Sequence, residues 1–382
     1  MATTADRRTG AGREPQDADA ADRLDIVICS YNYERFLGEA IDSALAQNPG
    51  RTRVVVVDDG STDGSRAVIE RYGDRIEAVF KENGGQASVY NLGIERVRSE
   101  YVLFLDSDDL LYAGAVDRIL AAFGTDGRCA KVQFRLDVVA HDGQRIGSHV
   151  PHSMPPENCA DALRRGWLYP SPPASGNAYR VSALRRVLPI PDVEHGLAAD
   201  FFAIYGVALL GAVRSIDAAC GAYRIHRPER ENAGAQAPPG GASFGNCEDR
   251  EAFTDAFPRR WDALRALVGT RLGETLPAQA IDFSYEKARW CGAVDGVPWS
   301  ARWHWFLFDS RGYFRAVLGN PFWGAGKKLA ALALTMLCLL PSRRLSGYAV
   351  RCIANPLSRR AAPARLASRR AEARPIREGT RP

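Results

Sequence analysis

Residues 24–63, LDIVICSYNYERFLGEAIDSALAQNPGRTRVVVVDDGSTD, decide the fold. The near-continuous apolar runs at 24–29 and 54–57 have the length and β-branched content of strands, and residues 34–47 between them set apolar side chains at helical spacing. Strands that are apolar on both faces belong to a parallel sheet covered by helices. Working outward, 76–80 and 101–105 read as further strands, and 63–72, 86–98 and about 115–123 as helices. That order predicts an α/β domain whose ligand sits beyond the carboxyl ends of the strands. Later in the chain, strands are predicted at 132–140 and near 212–224, a helix near 198–210, and Pro-rich loops at 151–156 and 169–173.

Composition bounds the rest. With 382 residues, 46% of them hydrophobic and 25% charged, the chain has the make-up of an ordinary globular protein, and 35 Gly and 22 Pro are too few for a fibrous repeat. A mean hydropathy of -0.24, with no apolar run near the ~20 residues of a spanning helix, excludes a multi-pass membrane protein. Residues 1–23 are polar and lack an apolar signal core, so a disordered leader and a cytoplasmic setting are expected. The eight cysteines include no close pair, which points away from a disulfide framework or a zinc knuckle. Residues 327–382 hold 13 Lys and Arg against 2 Glu, so the net charge of +5 leaves -6 for residues 1–326. Such local basicity calls for an anionic partner at the tail and not for nucleic acid along the body.

Three polar clusters follow the strands. Cys29-Ser30-Tyr31-Asn32 and Val57-Asp58-Asp59-Gly60-Ser61-Thr62-Asp63 lie side by side over one sheet edge, where an acid beside a Gly turn can bond a nucleobase or ribose and an aromatic can stack on the base. Ser61 and Asp63 equally suit helix caps. In Leu103-Phe104-Leu105-Asp106-Ser107-Asp108-Asp109, three carboxylates crowd the end of an apolar strand. Crowded carboxylates repel unless a cation joins them, and hard oxygen ligands suit Mn2+ or Mg2+ with phosphates completing the shell. The alternative is a solvated turn or helix cap.

These segments, with Asn83-Gly84-Gly85-Gln86-Ala87-Ser88 and Asn91-Leu92-Gly93 in order and spacing, resemble family 2 glycosyltransferases of the GT-A fold. The resemblance is dense over about 100 residues and implies a mostly parallel nucleotide-binding sheet flanked by helices, with a mainly helical C-terminal extension. It places Cys29, Ser30, Tyr31, Asp58, Asp59, Asn91 and Asp106 at the nucleotide, with Tyr31 and Asp59 on the base, and makes Asp106 and Asp108 the metal and diphosphate site. Asp109 either joins them or caps the next helix. Tyr90 stands where many relatives carry Arg. More loosely, 175–180 resembles the acceptor-side segment, and Ala199-Asp200-Phe201-Phe202 the segment carrying the catalytic base, which assigns that role to Asp200 although Ala199 replaces an acid. Tyr223-Arg224-Ile225-His226 resembles a Tyr-Arg-x-His element whose histidine approaches the metal, giving His226 as a third metal ligand. Arg224 and Arg227 either neutralise phosphate or pair with surface acids.

The resemblance implies a metal-dependent enzyme that moves a sugar from a nucleotide-sugar donor to a saccharide or lipid-linked acceptor with inversion, in cell-surface polysaccharide or glycolipid assembly. The competing readings are a sugar nucleotidyltransferase and a non-catalytic donor-binding subunit. The expected domains are a catalytic unit at 24–227, with donor-binding half 24–125 and acceptor half 126–227, a mobile loop at 228–250, a helical extension at 251–320, a membrane-proximal helix at 321–350 and a basic tail at 351–382. Residues 329–340, LAALALTMLCLL, form an uncharged run of about 18 Å as helix, short of the ~30 Å hydrocarbon core. Flanked by Trp323, Lys327, Lys328, Arg343 and Arg344, that run suits either the inner face of an anionic membrane or a core helix.

Overall fold

The structure, a computed structural model, describes residues 22–124, 127–191, 198–225 and 250–354. The expected leader, the loop at 228–249 and the tail from residue 355 lie outside the described residues. The first half alternates β1 (Leu24–Ser30), α1 (Glu34–Leu45), β2 (Thr52–Asp58), α2 (Ser65–Glu70), β3 (Glu77–Phe80), α3 (Gly85–Arg96) and β4 (Tyr101–Asp106). Then come β5 (Leu110–Leu111), α4 (Ala115–Phe123), β6 (Cys129–Val139), β7 (Arg145–Val150), α5 (Ala160–Arg164), β8 (Asn177–Arg180), α6 (Val181–Val187), α7 (Ala199–Val207) and β9 (Ala212–Arg224). Six helices follow: α8 (Arg250–Leu272), α9 (Phe283–Val294), α10 (Trp299–Phe308), α11 (Arg311–Leu318), α12 (Ala325–Cys338) and α13 (Arg343–Ala354).

The sheet runs β3-β2-β1-β4-β8-β6-β9-β5, with β7 added to β6. β3, β2, β1 and β4 are parallel, as the unbroken apolar strands require, and the direction reverses at β8, which pairs antiparallel with both β4 and β6. Side chains alternate across it: Ile26, Ile28, Val54 and Val56 pack with α1 and α4, while Val27, Val55 and Phe104 pack on the opposite face in one core cluster with α3, α7 and the C-terminal helices. The sheet is therefore buried on both sides. The single helix expected over 321–350 is two helices instead, α12 and α13, because Pro341 cannot continue a helical hydrogen-bond ladder.

β5 is only two residues long, yet it fixes the loop that precedes it. It pairs antiparallel with β9 at Leu110↔Ala222 and Leu111↔Gly221, and a Cβ on Gly221 would lie 2.3 Å from the Leu110 carbonyl oxygen. Only glycine permits that approach. Gly221→Ala should cost about 1–3 kcal/mol, the usual range for overpacking, read as a lowered midpoint in urea unfolding. An unchanged midpoint would show that β5 is free to move.

Candidate functional site

Strand register decides which polar side chains meet. Cys29 of β1 pairs with Asp106 of β4, and Ser30 pairs with Asp58 of β2, so three strands deliver their last residues to one edge. The turns beyond them interlock. The Asn32 amide N–H donates to Ser61 Oγ (2.9 Å) and the Thr62 N–H to Asn32 Oδ1 (2.8 Å). Asp58 accepts from Ser30 Oγ (3.2 Å), Ser61 Oγ (2.6 Å) and the Ser61 N–H (3.0 Å). Asp59 accepts from the N–H groups of Gly84 (3.0 Å) and Gly85 (2.8 Å) and from Lys81 Nζ. Between them Gly60 takes φ +73°, with Asn83 N only 2.8 Å from where a Cβ would stand. Both buried carboxylates thus hold the turn and the 81–85 loop in place, while Tyr31 stands 46% exposed at the rim.

Other predicted residues carry loads of their own. Asn91 Nδ2 donates to the Ile190 carbonyl (2.8 Å) and its Oδ1 accepts the Ile190 N–H (2.7 Å), a two-point clamp between α3 and the segment after α6. Tyr90 is fully buried and stacks on Phe104 with ring centroids 3.9 Å apart, so it offers nothing to a phosphate. Asp63 does serve as a cap: its oxygens accept the N–H groups of Ser65 (2.9 Å) and Glu34 (3.0 Å) at the starts of α2 and α1.

The acidic segment after β4 is fastened from several sides. The Asp106 N–H donates to Ser175 Oγ (3.0 Å), and the Asp109 N–H to the Asp106 carbonyl (3.1 Å). Asp109 does not cap a helix. It is fully buried and its Oδ1 accepts the Arg224 N–H (2.9 Å), while α4 starts beyond Gly114. The buried Arg224 guanidinium donates to the carbonyls of Asp108 (2.9 Å) and His141 (3.0 Å) and to Glu39 Oε2 (2.7 Å), and lies 4.6 Å over the Phe36 ring. Of the two roles open to Arg224, pairing with an acid is the one seen. His226 and Arg227 lie outside the described residues.

Electrostatics make this edge strongly negative. Burial, then Asp108 and Asp200, push the Asp106 carboxyl well above the usual carboxylate range, and burial with Asp108 and Asp106 does the same to Asp109. Tyr33 is pushed up to about 12 by burial and by Asp108, Asp106 and Asp109. Among the described residues no three His, Cys, Asp or Glu side chains stand close enough to enclose a metal. The donor set nevertheless fits a hard cation, since Asp106 and Asp108 offer two oxygen ligands in a site where added positive charge relieves repulsion.

Asp106 also lines a cleft of about 430 Å³ together with Asp200, which lies in the first turn of α7. α7 is seated by Gln86, whose Oε1 accepts the Ala199 N–H (2.9 Å) at the position where an acid is replaced. Burial raises Asp200 above the usual range, and Arg260, nearby backbone N–H groups and Lys131 pull it back. Lys131 is itself buried, which draws its ammonium down to about 7, and its Nζ donates to Ser171 Oγ (3.1 Å) on the cleft wall. Sequence reasoning missed Lys131, Ser171 and Arg260, and gave Gln86 no role although it stands inside a quoted motif. A lysine amid the apolar run of β6 was the one available signal.

The fastening by Arg224 has a measurable cost. Arg224→Lys keeps the charge but cannot reach three acceptors in a fork, so it should lose about 1–3 kcal/mol in urea unfolding. Glu39→Gln, at a 58% exposed side chain, should cost under ~1 kcal/mol. Equal losses would place the value of Arg224 in the ion pair alone.

Residues 25–188 match the glycosyl transferase family 2 model. The chain is 34% identical over 221 residues to an uncharacterized glycosyltransferase of Nostoc sp., covering 56% of this chain and 68% of that one. It is 31% identical over 137 residues to TuaG of Bacillus subtilis, named for teichuronic acid biosynthesis, covering 34% and 54% of the two chains. A 42% match to a Rickettsia typhi glycosyltransferase spans 25% of this chain and 30% of that one. Among solved structures, residues 1–349 of S. aureus TarS superimpose with a TM-score of 0.46 at 17% identity, over 89% of this chain and 92% of that one. Strand order, the acidic edge and these sequence matches lead to one assignment: the chain belongs to glycosyl transferase family 2 and has its α/β, GT-A type of fold.

Proposed function

We propose that the chain transfers a sugar, with inversion, from a nucleotide diphosphate sugar to a hydroxyl of a saccharide or lipid-linked acceptor, in cell-surface polysaccharide or glycolipid assembly at the cytoplasmic face of the membrane. The observation that supports this most is the cleft that Asp106 and Asp200 line together. Inverting transfer needs a base behind the acceptor hydroxyl and a stabilised leaving group in front of the sugar, which are separate tasks for separate carboxylates. Asp200 is raised by burial and drawn back by Arg260, so its carboxyl binds a proton more readily than an ordinary aspartate does. Phe201, Phe253 and Phe257 line the same cleft and give it an apolar wall.

Asp106 and Asp108 would hold Mn2+ or Mg2+, which supplies positive charge to the departing diphosphate. The polar turns after β1 and β2, with Tyr31 at the rim, form the floor and edge for the nucleoside. Asp58, Asp59 and Asn91 then act on the donor through the loops they fasten. In the nucleotidyltransferase reading, NTP and sugar phosphate would give pyrophosphate.

Two substitutions separate the tasks. UDP or TDP titrated against wild type and Asp108→Asn, with Mn2+ and with EDTA, should bind tightly only to wild type with metal; equal affinity in all four cases would remove the metal role. Asp200→Asn should still bind donor but transfer sugar at least ~10²-fold more slowly, the usual scale for losing a general base. Turnover near wild type would place the base elsewhere.

The pH profile gives a third check. A base works deprotonated, and burial raises the Asp200 carboxyl, so kcat/KM should fall with decreasing pH at a point above the ordinary carboxylate value of ~3.9. Arg260 favours the charged form, so Arg260→Gln should move that acid limb to higher pH. A limb that stays in place would show that Arg260 acts on something other than Asp200.

A further inference from the structure

Apart from Tyr31, every large apolar side chain exposed among the described residues lies between Trp299 and Tyr348. On α12, Leu329, Ala333 and Met336 follow the spacing i, i+4, i+7, which keeps them on one narrow stripe of a 3.6-residue helix; all three are exposed, as is Leu340 just past the helix end. The opposite side is fixed inward: Thr335 and Cys338 are buried, and Thr335 Oγ1 is hydrogen-bonded to Tyr313 Oη (2.9 Å). The helix therefore presents a set apolar face.

Neighbouring helices extend that face. Lys328 Nζ donates to the Leu318 carbonyl (2.8 Å), which ties the end of α11, with its exposed Leu318, to the first turn of α12. At the other end, Arg302 of α10 donates to the Leu340 carbonyl (3.4 Å). Charge follows the same pattern: residues 310–354 hold seven Lys and Arg and no Asp or Glu, and Lys327, Arg343, Arg344 and Arg351 are exposed.

We infer that the face built on α12, flanked by α11 and α13, docks on an anionic lipid surface, with the Leu329 to Leu340 stripe in the headgroup boundary and the basic residues against the lipid phosphates. No helix of the described residues is long and apolar enough to cross a membrane, and α12 at 14 residues spans about 21 Å, so it lies on the surface. A second copy of this chain is the weaker occupant. Two-fold pairing sets like against like, and this face has only positive charge to offer itself.

Flotation of the full-length protein with vesicles tests this without donor or acceptor, so its outcome is independent of the catalytic reading. Wild type should float with phosphatidylglycerol and phosphatidylcholine vesicles at low salt, and less with phosphatidylcholine alone or at high salt. Leu329→Glu with Met336→Glu, at side chains already in solvent, should keep the wild-type thermal melt and lose at least about tenfold of the partitioning. Arg343→Glu with Arg344→Glu should abolish the preference for anionic vesicles. Absence of flotation overturns the inference, as does flotation of both variants at the wild-type level, which would assign binding to residues outside the described helices. A wild-type dimer that Leu329→Glu with Met336→Glu converts to monomer, with no flotation in either, would make a second copy the occupant.

Discussion

Mutual repulsion among Asp106, Asp108, Asp109 and Asp200, brought together at one end of a buried sheet, is the constraint that the surrounding structure answers. Parallel register makes the crowding unavoidable, because β1, β2 and β4 end level with one another. Each acid is answered differently. Asp109 is held by the Arg224 N–H within a web whose guanidinium also grips the Asp108 carbonyl. Asp200 has Arg260, Lys131 and the amino end of α7. For Asp106 the influences of burial, Asp108 and Asp200 all run in the same direction, toward the neutral acid, and a bound cation would oppose them.

The parallel half of the sheet was legible because its strands are apolar on both faces and its helices amphipathic, and predicted and observed bounds there differ by only a few residues. β5, β7 and β8 were not. β5 has two residues, too short for periodicity to register; β8 is bounded by polar Asn177 and Arg180 and follows a Pro-rich loop; and β7 is a polar hairpin strand paired, among the described residues, with β6. Within the site, the acids were legible as a cluster, but their supports were not. Asn91 to Ile190 and Gln86 to Ala199 span 99 and 113 residues, so no local pattern announces them. The quoted segments around Gln86 and Asn91 therefore have a mechanical meaning that spacing alone conceals: α3 holds Ile190 and Ala199, and so ties the helix bearing Asp200 to the parallel half of the sheet.

The C-terminal helices belong to the same physical unit. Trp261, Trp290, Tyr313, Cys338 and Ile353 share one core cluster with Val27 and Val55 of the parallel sheet, and α8 sends Phe253, Phe257 and Arg260 to the cleft. Lys287 of α9 donates to the Ala354 carbonyl (3.3 Å), and Arg302 of α10 to the Cys338 carbonyl (3.1 Å), so α12 and α13 are fastened at their far ends as well. Deleting them would open a core that reaches the catalytic sheet, and lost membrane binding in such a deletion would say nothing about lipid contact. Substitution on the exposed stripe leaves that core closed. The two faces of α12 thus have separable consequences: the inward one bears on stability and on the packing behind the cleft, and the outward one on the proposed contact with a lipid surface.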